Sequence, residues 1–434
     1  MRTTLLIKPV HNSAGFTLAE LLVSLFIVAI MMGAIFSSFT TLTRSFKVET
    51  KTAETQIENT LSLDLLRYDL ESAGYGLPEG TGVGACTTIT AYNEYPVSFT
   101  PTGSTNYTPN QFTPDPANLN DSTGSCEPRP LVLDHNTNPT PSSTNGSDVL
   151  VIKSITADRT AVTKKWTMLD ATGHYIVWND TKWDLSATDR AIAVNSTRKL
   201  VSSGFQFSSL PASPPAGQFY VIYGVNATTT LRMPFNRVDY YLQRACSPQL
   251  GNCTGTAPQH PYPLQCHPSG YTLYRSVLSH ANGQRVEQPV MDCVLDFQVA
   301  LGIDTGCTDT LGNGCTGTLT WCRFTNLSAT PSSLTPCNVS SDPGCNTDPC
   351  YLTTSYLNNA MSIRRHLKQV KVFVLAHDGK MDPNFTYGAN SITIGDSDIT
   401  LKTYNLSALS NYANYRWKLM KLNVKLNSLG GNYE

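Results

Sequence analysis

Gly15-Phe16-Thr17-Leu18-Ala19-Glu20-Leu21-Leu22-Val23 is the stretch whose reading decides how this chain is organised. Directly behind it, residues 21–43 carry no charged side chain. As a helix rising 1.5 Å per residue they extend about 35 Å, more than the roughly 30 Å of a bilayer's hydrocarbon core. This predicts a membrane span. Ahead of it, residues 1–15 are short and mildly basic (Arg2, Lys8 and His11, no acid) and end in Ser13-Ala14-Gly15. A secretory signal has its apolar run before the small-residue cleavage site, whereas here the small residues come first. Cleavage after Gly15 would therefore leave the apolar helix on the mature protein. Glu20 is the odd residue: a carboxylate costs about 2.5–3.5 kcal/mol at the centre of a span and less near its edge, so it has a partner or a task, or it reaches out to the headgroups.

The nine residues from Gly15 to Val23 closely resemble the processing signature of type IV prepilins. The resemblance implies that prepilin peptidase cuts after Gly15 on the cytoplasmic face, that the new amino terminus at Phe16 is N-methylated, and that Glu20 guides assembly among other pilins. Ser37 stands where major pilins commonly carry a helix-loosening proline.

Beyond the span, residues 44–72 read as a continuing helix with Ile57, Leu61, Leu65 and Tyr68 on one stripe, expected to lie against a sheet, and Gly74, Gly76 and Pro78 then stop it. Residues 78–147 are rich in Thr, Pro, Asn, Ser and Gly and read as a loop insertion. From residue 148 onward β-like runs recur at 149–152, 175–178, 220–223, 238–242, 271–278, 294–301, 370–375 and 417–426. The expected class is α+β and pilin-like: a long N-terminal helix, half in the membrane and half packed on an antiparallel β-sheet head with long disulfide-stapled loop insertions. The segments are a leader (1–15), an assembly helix (16–43), the rest of the helix (44–77), the insertion (78–147) and the head (148–434), with a cysteine-rich insertion near 302–350.

Four further pieces sharpen the resemblance, toward large minor pilins of the PilW type and the related J-type pseudopilins of type II secretion. They are Leu66-Arg67-Tyr68-Asp69-Leu70-Glu71-Ser72-Ala73-Gly74-Tyr75, Gly146-Ser147-Asp148-Val149-Leu150, Val294-Leu295-Asp296-Phe297-Gln298-Val299 and Tyr415-Arg416-Trp417. The two cysteine-rich insertions depart from that pattern.

Charged residues make up only 15% of the 434, which suits an extracytoplasmic, loop-rich protein, and 31 Lys plus Arg against 32 Asp plus Glu gives no basic excess to draw nucleic acid. The 12 cysteines are Cys86, Cys126, Cys246, Cys253, Cys266, Cys293, Cys307, Cys315, Cys322, Cys337, Cys345 and Cys350. An even count confined to the part beyond the span is expected to form disulfides in an oxidising compartment, with metal-binding thiols as the rival. No Cys-x-x-Cys pair occurs, and Cys266-His267 has Pro263 where a haem signature needs cysteine. His-Glu-x-x-His, Gly-x-Ser-x-Gly and Walker-type loops are all missing, so neither an enzyme nor a cofactor is expected. Asp378, Asp382 and Asn384 lack EF-hand spacing and read as a polar turn.

Three functions fit: a minor pilin that primes a pilus, a J-like pseudopilin, or a membrane-anchored adhesin. All imply a single-pass protein of the bacterial inner membrane with its head outside the cytoplasm. The first two add other pilins and the assembly machinery as partners.

Overall fold

A helix of 54 residues, α1 (Leu18–Glu71), opens the structure, a computed structural model that describes residues 17–79, 94, 119–121, 127–135, 146–243, 263–304, 319–324, 350–352 and 360–429. No proline interrupts its sequence, and it runs through Ser37, whose carbonyl accepts the Oγ1 hydroxyls of Thr40 and Thr41. The chain stops being helical before Gly74 and Gly76, which take φ of +82° and +68°. A Cβ at either would also stand 2.5 Å from Leu429 or Ile155, so both the left-handed backbone and the close packing call for glycine. The chain divides into two compact units, residues 1–54 and residues 55–434.

The second unit is built on strands. Nine form its main sheet: β1 (Leu131–His135), β2 (Asp148–Ser154), β7 (Asn236–Gln243), β8 (Tyr271–Leu278), β9 (Arg285–Asp304), β10 (Leu319–Phe324), β11 (Cys350–Leu352), β12 (Leu367–Asp378) and β15 (Arg416–Lys425). The path runs β1-β2-β7-β8-β9-β10-β11, and β12 joins β9 to β15. Every pairing is antiparallel except β10 with β11. A four-stranded sheet, in the order β3 (Trp166–Asp170), β6 (Phe219–Asn226), β4 (Arg190–Asn195) and β5 (Leu200–Gln206), and a hairpin of β13 (Ser391–Gly395) and β14 (Thr400–Asn405) complete it. A short helix, α2 (Ala360–His366), leads into β12.

Period-two side-chain alternation gives the main sheet two buried faces. Val370, Val372 and Val374 of β12 join Leu66, Leu70 and Ala73 in one core cluster, while Phe373 and Leu375 point into another with Ile394 and Leu401 of the hairpin. In β15, Met420, Leu422 and Val424 are buried while Lys421, Asn423 and Lys425 are exposed, as the alternation predicts. At about 25 cal/mol per Å2 of apolar area, each fully buried Leu or Val contributes roughly 1.5–3 kcal/mol, and such side chains hold the sheet.

The structure corrects two expectations. The apolar stripe of α1 does not lie against the sheet: Ile57, Leu61 and Tyr68 are 62%, 64% and 48% exposed, and only Leu65 is half-buried. The docked face is Thr55, Asn59, Ser62, Leu66, Asp69 and Leu70, roughly a third of a turn away. Hydrogen bonds and an ion cluster, not hydrophobicity alone, choose it. Asn59 donates to Asp378 Oδ1 (3.3 Å), and Ser62 donates to the carbonyls of Glu58 and Val290. Second, residues 175–178 form no strand. They make one bridge to Leu169 and are exposed, as part of a loop capped by Asp184, which accepts the backbone N–H of Trp178 and Asp180.

Of the residues expected in a polar turn, Asp382 and Asn384 form one, the Asp382 Oδ1 accepting the Asn384 N–H and its Oδ2 pairing with Arg416 at 2.8 Å, whereas Asp378 is buried at the end of β12 and accepts Asn59.

Two buried head histidines make stability pH-dependent. His280 accepts the Arg232 N–H at Nδ1 and meets Asn236 Oδ1 at Nε2, a neutral tautomer; burial, then Arg232, push its pKa down to about 4. Burial, then neighbouring His267, push His377 down to about 3. The unfolded chain thus binds protons first as pH drops below about 6.5, so stability falls from there toward pH 3–4 and is fully present above it. Denaturant melts of the full-length protein in detergent are expected to lose a few kcal/mol between pH 7 and pH 4, and a flat profile would contradict this.

Candidate assembly and anchoring site

The start of α1 is fixed locally. The Thr17 backbone N–H and hydroxyl both donate to Glu20 Oε2 at 3.0 Å, and the Glu20 N–H donates to Thr17 Oγ1 at 3.3 Å. This is a capping box: residues at the N-cap and N3 positions each satisfy a donor the helix leaves orphaned. The Thr-x-x-Glu spacing was legible in the sequence, and the cap is a local role that attention to assembly alone overlooks. Glu20 is exposed, as is the apolar surface behind it, from Leu21, Leu22 and Val23 to Phe39, Leu42 and Phe46. None of that apolar stretch is buried among the described residues. Long and apolar enough to cross a membrane, it stands ready for lipid or for other helices. Gly15 and Phe16 lie outside the described residues.

At its other end, in the second unit, α1 is pinned to the sheet by Asp69, fully buried. Its Oδ1 accepts Arg159 Nε at 2.9 Å, and its Oδ2 accepts both Arg275 Nε and the Tyr240 hydroxyl at 2.7 Å. Burial, then the Asp69 charge, raise the Tyr240 pKa well above normal, so Tyr240 remains a donor. Arg159, left-handed at φ +59°, also donates to the Leu65 carbonyl and covers the Tyr68 ring at 4.5 Å. One carboxylate thus ties the helix to β7, β8 and the turn after β2. Asp69 lies in the Leu66–Tyr75 stretch, but its distant partners left no spacing by which its role could be read.

A second buried ionic network anchors the segment before β2. Glu94 accepts Lys153 Nζ at 2.9 Å and Arg237 Nη1 at 2.7 Å; Asp121 accepts Lys153 Nζ at 2.8 Å and Arg129 Nε at 2.7 Å. Asp239 receives both Arg237 and Arg285. Burial opposes each charge, but Asp239 and Glu94 outweigh it and hold the Arg237 pKa above its usual value, while Arg237 and Arg285 hold Asp239 below its own.

Of the cysteines, Cys266 and Cys293 are joined by a disulfide with Cα atoms 4.8 Å apart, and Cys322 is also disulfide-bonded. Cys350 is placed in β11, where its backbone stands opposite Cys322. Cys86, Cys126, Cys246, Cys253, Cys307, Cys315, Cys337 and Cys345 lie outside the described residues.

Residues 10–36 match the prokaryotic N-terminal methylation motif. This is the prepilin-type motif, and with the apolar helix behind it it supports a type IV pilin- or pseudopilin-like subunit. No curated protein and no solved structure matches the chain.

Proposed function

We propose that this chain is a minor type IV pilin, a structural subunit that primes assembly of a pilus. Prepilin peptidase cuts it after Gly15, Phe16 becomes the N-methylated terminus, and α1 holds it in the inner membrane with the head outside the cytoplasm until it enters the filament. The observation that carries this reading is the methylation motif at residues 10–36 running straight into a 54-residue helix whose apolar part is exposed. A leader of this type keeps that helix on the mature protein, and among the described residues nothing covers its apolar part.

Glu20 is the only acid between residues 16 and 48. In a bundle of apolar helices its carboxylate needs a compensating charge, and the new amine of Phe16, on the same or an adjacent subunit, supplies one. Two substitutions separate this from the capping role. Glu20→Ala removes charge and cap together; Glu20→Gln keeps the cap, since glutamine serves at N3 as well, and removes only the charge. Both variants are expected to be cleaved and inserted, and both to be depleted from sheared filaments by about tenfold, equivalent to about 1.4 kcal/mol. Normal recovery of Glu20→Gln in the filament fraction would reduce Glu20 to a helix cap.

A further inference from the structure

A cavity of about 210 Å3 lies where the β8–β9 hairpin meets the turn after β2 and the end of β6, and two unlike charges line it without pairing. Asp158 comes from the turn and Arg275 from β8. Among the described ion pairs Arg275 has one carboxylate, that of Asp69 at 2.7 Å, and its Nη1 donates in none of its described hydrogen bonds. The Asp158 carboxylate is half-buried and accepts no described hydrogen bond; burial raises its pKa, and the Arg275 charge opposes that rise in part. Holding a carboxylate away from water with nothing donating to it is costly, and neither the Asp69 cluster nor the assembly reading gives Asp158 a task. Asn226, the last residue of β6, commits its Oδ1 to the N–H groups of Thr228 and Thr229 at 3.3 and 3.1 Å. Its amide Nδ2 and the Thr229 hydroxyl are left without described partners on the same wall. Val277 and Val286, paired across β8 and β9, supply an apolar side.

We propose that this cavity binds a small zwitterion, a free α-amino acid, with its ammonium on Asp158 and its carboxylate on Arg275. The charge pattern selects the class. A simple cation drawn to Asp158 meets the Arg275 guanidinium, and a simple anion drawn to Arg275 meets the Asp158 carboxylate, whereas one molecule with both ends satisfies both groups at once. An α-amino acid carries its two charges on a single carbon, so it serves both groups within one small cavity. At about 30 Å3 per water the space holds about seven waters, room for an amino acid with a short side chain. Its apolar part rests on Val277 and Val286, and Asn226 and Thr229 take its remaining polar atoms. Val286 is exposed, which places it at the mouth. The competing occupant is water, which satisfies both charges with no preference for a solute.

Equilibrium dialysis of the full-length protein in detergent at neutral pH, against radiolabelled glycine, alanine, serine and threonine, tests this. At least one of them is expected to bind at a single site per chain with a Kd below about 10 mM. Asp158→Asn, which keeps the shape and removes the charge, is expected to weaken that binding by about tenfold or more, the weight of one hydrogen bond to a charged group. Val286→Trp fills the mouth from an exposed position and is expected to remove binding with both charges still in place. Denaturant melts of each variant separate lost binding from lost folding, and a competition arm on the unaltered protein needs no variant at all. Ethylamine and propionate each carry one of the two charges, and each is expected to compete at least about tenfold more weakly than the amino acid that binds. No binding of any of the four amino acids, equal competition by ethylamine or propionate, or unchanged affinity in a folded Asp158→Asn would overturn the proposal and leave the cavity to water.

Discussion

Asp69→Ala is expected to destabilise the head by about 3–5 kcal/mol, a large share of the 5–15 kcal/mol that holds most domains. The substitution takes the shared acceptor from two guanidinium groups and a phenol. Arg159, whose side chain is 29% exposed, can turn to water; Arg275, 4% exposed, cannot. Its Nη2 keeps the Ala157 carbonyl at 2.6 Å and Asp158 stays nearby as an electrostatic neighbour, but among its described hydrogen bonds no carboxylate remains. The Tyr240 hydroxyl, also buried, loses its acceptor. Asp69→Asn retains the shape and one acceptor oxygen while removing the charge, so it should fall between Ala and wild type. Chemical denaturation followed by a probe in the head measures both. Wild-type stability in Asp69→Ala would show that the Asp69 cluster does not hold the helix.

Lys153→Met is expected to cost as much or more. Lys153 is fully buried between Glu94 and Asp121, themselves fully buried, and its loss confronts two carboxylates with one charge fewer. Breaking a buried pair by removing one partner costs about 3–5 kcal/mol, because the remaining charge stays out of water. Adding Glu94→Gln should recover part of the loss by removing one of the stranded charges, a coupling of about 0.5–3 kcal/mol that a double-mutant cycle reads directly. If the two substitutions simply add, Lys153 does not act through Glu94.

The difference between what the sequence announced and what it concealed follows from range. The membrane helix, its stop at Gly74 and the strands around 149–152, 238–242, 271–278, 370–375 and 417–426 were legible, because apolar runs, alternation and glycine act over a few residues. The strands β4, β5, β13 and β14 are short, and several of their residues are small or polar (Ser202, Ser203 and Gly204 in β5, for example), so neighbours in the sheet decide them. Strands β1 and β10 come from the two loop-rich segments and gain their place by pairing with β2 and β9. The docked face of α1 was misread for the same reason. Hydrophobic spacing selected Ile57, Leu61 and Tyr68, while Asp69 and Asn59 are buried by partners 90 to more than 300 residues away. Cys266, Cys293 and His377 likewise share no local spacing and meet only because β9 pairs with both β8 and β12.

Whether the chain is processed as a prepilin is settled most directly at its amino terminus. Peptide mass spectrometry of the protein purified from a bacterium with an active prepilin peptidase is expected to find a first residue Phe16 carrying one methyl group, with Arg2 and Lys8 gone along with the leader. In a peptidase-deficient strain the same peptide should appear uncut and unmethylated. A mature chain that still begins at Met1 in the presence of the peptidase, or one cut beyond Thr43 so that the apolar helix is lost, would contradict the prepilin reading.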